Sequence, residues 1–216
     1  MKYPDKETYR KLYARYVADQ GRPVADLMDL ASTLRGKTVV DLCGGAGEIS
    51  VEAVKRGAAR TLLVDQSVDM MGESTKGVEY WRCPVEEFLE TFHKEVVDVV
   101  FCRQAVNYWF NKDMAEMLAG CLAPGGEFIF NTFSKKPDWK PKVKEYEFNG
   151  HFFVETSWRV GDVVHHVQCR DGMEPHTTQF KWIDTQTFYT WLHPYFDIDR
   201  NTDGATHLYC CKKKQL

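Results

Sequence analysis

The residues best suited to chemistry lie in one short segment, Val39-Val40-Asp41-Leu42-Cys43-Gly44-Gly45-Ala46-Gly47-Glu48. An apolar run reads there as a buried strand, breaks into a glycine-rich turn and continues as a helix. Glycines in such a turn adopt positive φ and let a ligand lie close to the backbone. The first turn of the helix behind them offers unpaired N–H groups. Nucleotide-binding folds share this arrangement, so the loop alone does not separate them. Two acids narrow the choice. Asp41 stands inside the strand just before the glycines, where a carboxylate suits a cationic ligand group and would repel a pyrophosphate. Asp65 ends the next apolar run, where an acid can accept both hydroxyls of a ribose; its other role would be N-cap of the helical segment starting near Val68. The GxGxxG spacing is missing, and so is the GxxxxGK[ST] phosphate loop.

A cationic, ribose-bearing ligand meets these requirements, and S-adenosylmethionine (SAM) is such a molecule. The elements that would position the two acids follow from periodicity. Residues 5–34 read as helical, with Tyr9, Leu12, Tyr13, Tyr16 and Val17 on one stripe and a break at Gly21-Arg22-Pro23. Short apolar runs then alternate with helices. Strands are expected at Thr38–Leu42, Arg60–Val64, Val78–Arg82, Val96–Cys102 and Glu127–Phe133, and helices at Glu48–Arg56, from about Val68, at Val85–Phe92 and at Lys112–Cys121. Continuous apolar strands between helices predict an α/β fold, with a parallel sheet covered on both faces. Past Ser134 the period changes. Lys144–Phe148, Phe152–Arg159, Val163–Arg170 and His176–Trp182 read as an antiparallel block with turns at Asn149-Gly150, Gly161-Asp162 and Asp171-Gly172. A helix over Thr185–Leu192 and a closing hairpin from Phe196 to Cys211 finish the chain.

In order along the chain stand Asp41-Leu42-Cys43-Gly44-Gly45-Ala46-Gly47, Asp65, Cys83-Pro84-Val85-Glu86, Asp98-Val99-Val100-Phe101 and Leu122-Ala123-Pro124-Gly125-Gly126. This series resembles the ordered motifs of the class I SAM-dependent methyltransferases, in detail over about residues 36–133, and the tail Phe196–Cys211 is similar to the family's last two strands. The resemblance implies a Rossmann-like, doubly wound, mostly parallel seven-stranded sheet with a C-terminal antiparallel hairpin and an inserted antiparallel lid. It implies one domain over 1–216, with a helical cap at 1–35 and the lid at 140–184. The cofactor it implies is SAM, leaving as S-adenosylhomocysteine. Asp41, Gly44, Gly45 and Gly47 would contact the methionine part. Asp65 and Gln66 would hold the ribose, Met70 would pack near the adenine, and Val85 would offer its N–H to the ring. Pro84 stands where many relatives carry an acid for the adenine amino group, which leaves backbone, apolar contacts or Glu86 for that task. Cys102 and the segment after it would lie beside the transferred methyl. That segment lacks the Asn/Asp-Pro-Pro-Tyr pattern of the subclass acting on nucleobases or glutamine.

For the acceptor, chain order places the antiparallel block over the methyl end of SAM. Alternation on Val163–Arg170 puts His166, Gln168 and Arg170 on one face. This polar face is either solvated surface or an acceptor wall on which His166 acts as base or binding group. Asn107 and Tyr108 are the other acceptor-side candidates. Tyr13 and Tyr16 either close over SAM or pack the first helix onto the sheet. Trp158, Trp182 and Trp191 read as lid core in preference to a cation-binding cage. His176 and Lys181 receive no role beyond the lid.

The 216 residues are 44% hydrophobic and 27% charged, the balance of a soluble globular protein. A net charge of −3, with Lys212-Lys213-Lys214 as the one dense basic run, argues against a nucleic-acid partner. No apolar run suits a secretory signal or a bilayer span. The seven cysteines form no CxxC pair and read as reduced, small hydrophobes, so the expected location is cytoplasmic and no metal is expected. The expected partner is a small-molecule substrate, and a homodimer is possible. Rival readings are a protein or RNA methyltransferase, a non-catalytic SAM-binding module and a nicotinamide dehydrogenase.

Overall fold

A computed structural model describes residues 4–18, 21–71, 74–92, 96–203 and 206–215; for Tyr16 and residues 21–23 it describes the backbone alone. Three short helices open the chain, α1 (Lys6–Leu12), α2 (Ala14–Ala18) and α3 (Gly21–Met28). The alternating part follows as β1 (Thr38–Leu42), α4 (Glu48–Lys55), β2 (Arg60–Val64), α5 (Val68–Met71), β3 (Glu79–Trp81), α6 (Val85–Phe92), β4 (Val97–Cys102), α7 (Val106–Trp109), α8 (Lys112–Cys121) and β5 (Leu122–Phe133). Next come β6 (Lys142–Phe148), β7 (His151–Val160), β8 (Val163–Arg170) and β9 (His176–Lys181), then α9 (Thr185–Leu192), β10 (Phe196–Asp203) and β11 (Thr206–Lys213).

The strands form two sheets. The larger has seven strands in the order β10-β11-β5-β4-β1-β2-β3. Strands β1 to β5 are mutually parallel, and β11 returns antiparallel to both β5 and β10. Val40, Leu42, Val100, Cys102, Phe128 and Phe130 face one way, into a core shared with Phe88, Leu118 and Phe188 of the helices. Val39, Val99, Phe101 and Ile129 face the other way, against Leu27, Met28, Ile49 and Ala53. Both faces are covered, and this is the doubly wound α/β architecture, with a separate antiparallel sheet of order β6-β7-β8-β9 inserted before the last helix. Asn149 at φ 51 and Gly150 at φ 74 make the tight β6–β7 turn that the Asn-Gly pair predicts.

Two local expectations need correction. Gly21-Arg22-Pro23 lies in the first turn of α3, not between helices; a proline is tolerated there because first-turn N–H groups have no intrahelical partner. A further break falls at Tyr13, between α1 and α2. Strand β5 begins at Leu122, not Glu127, through an irregular register between Val97 and Val99 of β4. Gly126 is required there, since a Cβ would stand 2.9 Å from the Ala123 carbonyl oxygen and 3.0 Å from that of Asp98. The segment after β4 contains the short helix α7, Val106–Trp109. Among the described residues no helix is long and apolar enough to cross a membrane, and no group of three His, Cys, Asp or Glu side chains could hold a metal ion.

Candidate active site

A cavity of about 660 Å³ opens between the carboxyl ends of the parallel strands, one face of the second sheet, and α1. Its size suits a small-molecule site. One wall comes from the parallel sheet. The turn after β1 contributes Gly44, Gly45 and Ala46, the end of β2 contributes Asp65 and Gln66, and α5 and α6 contribute Met70, Val85 and Glu86. Gly45 has φ 52, and a Cβ there would meet Met70 Cε at 3.5 Å, an ordinary contact. Asp65 stands just before the turn into α5 and makes two bonds to backbone N–H groups. Its Oδ1 accepts the Ser67 N–H at 2.8 Å and so starts the turn into α5, while Oδ2 accepts the Gly45 N–H at 2.9 Å. Burial raises its pKa, and these two bonds pull the other way. A carboxylate has about four acceptor sites, so roughly two stay open toward the cavity, as a ribose diol requires. This donor and acceptor set fits SAM.

Four residues expected at the site do not line the cavity. Asp41 is 1% exposed, lies beneath Gly44, and accepts both the N–H and the hydroxyl of Ser50, at 3.1 and 2.8 Å. It shares its parity with Val39, which turns it toward α4 and away from the ligand space. A Cβ on Gly44 would come 2.7 Å from its Oδ2, so Gly44 is small for the sake of Asp41. Gly47, at φ 82, is the N-cap of α4 and closes the turn by donating to the Gly44 carbonyl at 2.8 Å. Cys102 is fully buried in the core; the neighbouring Cys43, not Cys102, reaches the cavity, and contact with Cys102 together with burial pushes the Cys43 thiol well up. Asn107 is 6% exposed and works as a brace, donating to the Lys181 carbonyl at 3.1 Å and accepting the Thr132 hydroxyl at 2.6 Å. The Tyr16 side chain lies outside the described residues.

The opposite wall is a lattice on the second sheet. Register places Glu155 beside Gln168 and then His176, and Ser157 beside His166 and then Thr178; the next row ends in Val164 and Phe180. All eight line the cavity, together with Tyr108 of α7. Thus His166 and Gln168 of the polar face look inward, and Arg170 of the same strand donates to the Lys11 carbonyl of α1 at 3.2 Å. His166 Nδ1 is 2.8 Å from Ser157 Oγ. Burial lowers the His166 pKa and the Glu155 charge raises it, with burial the larger effect. Tyr13 also lines the wall, its hydroxyl 2.9 Å from His176 Nδ1, and burial is the main cause that raises its pKa. His176, read from sequence as plain lid, therefore belongs to the site. So do Glu155, Ser157 and Phe180, whose signal was the inward parity of their strands, and Arg103, which meets Glu48 at 3.2 Å beside the glycine turn. Trp158, Trp182 and Trp191 do not line the cavity; Trp158 stacks on His165, with ring centroids 5.0 Å apart.

Comparisons with known proteins agree with this architecture. Residues 25–132 match the model of a family described as Conserved hypothetical protein 95. Over 122 residues the chain is 30% identical to the Ubiquinone biosynthesis O-methyltransferase of Hahella chejuensis, a match covering 52% of this chain and 50% of that protein. The chain therefore spans about half the length of that curated relative. Among solved structures it superposes on SAM-bound CalS10, an amino pentose methyltransferase from Micromonospora echinaspora, with TM-score 0.75, 15% identity and coverage of 99% and 100% of the two chains. The sugar N-methyltransferase KedS8 from Streptoalloteichus sp ATCC 53650 superposes with TM-score 0.70 and 16% identity over 100% and 97%. At these identities the structural likeness is one of fold.

Proposed function

This chain belongs to the family described as Conserved hypothetical protein 95 and to the class I SAM-dependent methyltransferases, and from that premise we propose that it methylates a small-molecule acceptor. The observation that carries the reading is the two-walled cavity, with the glycine turn and Asp65 on one side and the polar strand lattice on the other. When bound, SAM supplies an activated methyl group on a sulfonium. The chain's own residues bind, align and exclude water. The backbone of Gly44, Gly45 and Ala46 would flank the methionine part. Asp65 and Gln66 would hold the ribose, and Met70, Val85 and Glu86 the adenine. Asp41 and Gly47 would act through the shape of the turn. Tyr108 and His166 would meet the acceptor, with Asn107 bracing the helix that carries Tyr108.

The size of the cavity and the net charge of −3 favour a small molecule over RNA. A cytoplasmic location belongs to the proposal and is supported by the seven free cysteines. The relatives divide over the nucleophile, since the Hahella protein is named an O-methyltransferase, while CalS10 and KedS8 are described as acting on an amino pentose and as a sugar N-methyltransferase.

The test is incubation with methyl-labelled SAM and a metabolite extract, read by mass spectrometry. Label should enter a small molecule in step with S-adenosylhomocysteine. Label confined to protein or RNA, or no demethylated product at all, would overturn the proposal.

A further inference from the structure

We infer that the acceptor's nucleophile is a hydroxyl on a planar, phenol-type ring, and that His166 takes its proton through Nε2 while Ser157 holds the imidazole. This rests on the methyltransferase reading and names the acceptor class for the same cavity. His166 and Ser157 are direct cross-strand partners on the cavity face, with Nδ1 and Oγ 2.8 Å apart. Among the described residues His166 Nε2 makes no hydrogen bond. If Nδ1–H donates to Ser157, the Nε2 lone pair faces the cavity, because the bond made by one ring nitrogen sets the state of the other.

The charges around His166 favour an oxygen nucleophile over an ammonium. The one carboxylate on the lattice, Glu155, is engaged, since its Oε1 accepts the Tyr146 hydroxyl at 2.6 Å and its Oε2 lies 3.5 Å from Lys144 Nζ. Other groups facing His166 are Tyr13, with ring centroids 6.4 Å apart, and His176, diagonal to it on β9. Lys6, Arg10, Arg103 and Lys135 line the same cavity against Glu48, Asp65, Glu86 and Glu155, so its charges balance and the local lattice decides. With Glu155 engaged, no open carboxylate of the lattice stands beside His166 to hold a protonated amine.

Ring contacts and base strength narrow the hydroxyl to an aromatic one. Phe180, at the apolar end of the lattice, meets Tyr108 at 5.6 Å and stacks on Phe133 at 5.6 Å, a surface suited to a flat ring. Burial makes His166 a weak base. Such a base is far better matched to a phenol, of pKa about 10 as in tyrosine, than to an aliphatic alcohol. In the step, the O–H proton passes to His166 Nε2 and the oxygen lone pair forms the bond to the methyl carbon. The electron pair of the broken carbon–sulfur bond stays on sulfur, and the imidazolium then releases its proton to water. His166 is the catalytic residue, and Ser157 is a positioning residue.

The test uses ¹⁵N-histidine-labelled protein saturated with S-adenosylhomocysteine. The expected spectrum shows His166 as the Nδ1–H tautomer, with its titration midpoint below that of an ordinary histidine. Ser157→Ala should shift that midpoint and mix the tautomers. It should also identify the resonance if His166→Gln does not fold. In parallel, 4-nitrophenol should bind at least tenfold more tightly than 4-nitroaniline, with that preference lost in His166→Gln or reduced in Ser157→Ala. An Nε2–H tautomer, or 4-nitroaniline bound equally or better, overturns the inference. Failure of S-adenosylhomocysteine to bind overturns the underlying methyltransferase reading instead.

Discussion

Asp65 joins the end of β2 to the glycine turn after β1, its Oδ2 accepting the Gly45 N–H at 2.9 Å. The carboxylate thus shapes the loop before it meets any ligand. Asp65→Ala should weaken S-adenosylhomocysteine binding by about 1–3 kcal/mol, from lost ribose contacts and a loosened turn. Calorimetry checks this. Unchanged affinity would mean that the ribose is held elsewhere.

Gly44 and Gly45 of the turn should respond differently to alanine. A Cβ on Gly44 would lie 2.7 Å from Asp41 Oδ2 and 2.9 Å from Leu63 Cγ, so Gly44→Ala should destabilise the fold by about 1–3 kcal/mol. Gly45 has room for a Cβ but sits at φ 52, so Gly45→Ala should cost about 1 kcal/mol of stability. Urea denaturation of both variants provides the comparison. A Gly45 variant less stable than the Gly44 variant would contradict the packing described here.

Much of this architecture was legible in the residues. Unbroken apolar runs such as Thr38–Leu42 and Arg60–Val64 marked strands covered on both faces, and Asn149-Gly150 and Gly161-Asp162 marked the hairpins of the second sheet. The orientation of Asp41 was not legible, because Val39, Val40 and Leu42 are all buried and no alternation tells one face from the other. Asn107 escaped for a related reason: a four-residue helix has too few turns to show a period, so its inward brace to Lys181 could not be told from a pocket contact. On β8 the alternation was informative, since polar and apolar positions differ there. The pairing of Tyr13 with His176 joins positions 163 residues apart, beyond any local pattern.

The buried Asp41 should leave a mark on stability against pH. Burial raises its pKa from 3.8 to about 7, against the opposing bonds from Ser50 and the charge of Arg103. Between those values the folded protein keeps a proton that the unfolded chain releases. Its contribution is therefore greatest below the unfolded value and declines as pH rises toward 7, by on the order of 4 kcal/mol. Asp41→Asn, which retains an acceptor for Ser50, should flatten this decline in urea denaturation at pH 5 and pH 8. Equal slopes in the two proteins would show that Asp41 ionises freely in the fold.

Helix α1 should be tethered over the cavity by two bonds, Tyr13 to His176 at 2.9 Å and Arg170 to the Lys11 carbonyl at 3.2 Å. Tyr13→Phe removes the first at a cost of about 1 kcal/mol, equivalent to a several-fold loss of amide protection in α1. Hydrogen exchange reads this directly. Protection lost equally across the parallel sheet would point to global destabilisation and not to a local tether.

The central claim is that the wall formed by the glycine turn and Asp65 takes SAM. Calorimetric titration of the purified protein with S-adenosylhomocysteine, with NAD as the competitor class, tests it most directly. The expected result is saturable binding of S-adenosylhomocysteine in the micromolar range or tighter, and none of comparable strength for NAD. Preferential binding of NAD, or no binding of S-adenosylhomocysteine to a folded protein, would contradict it.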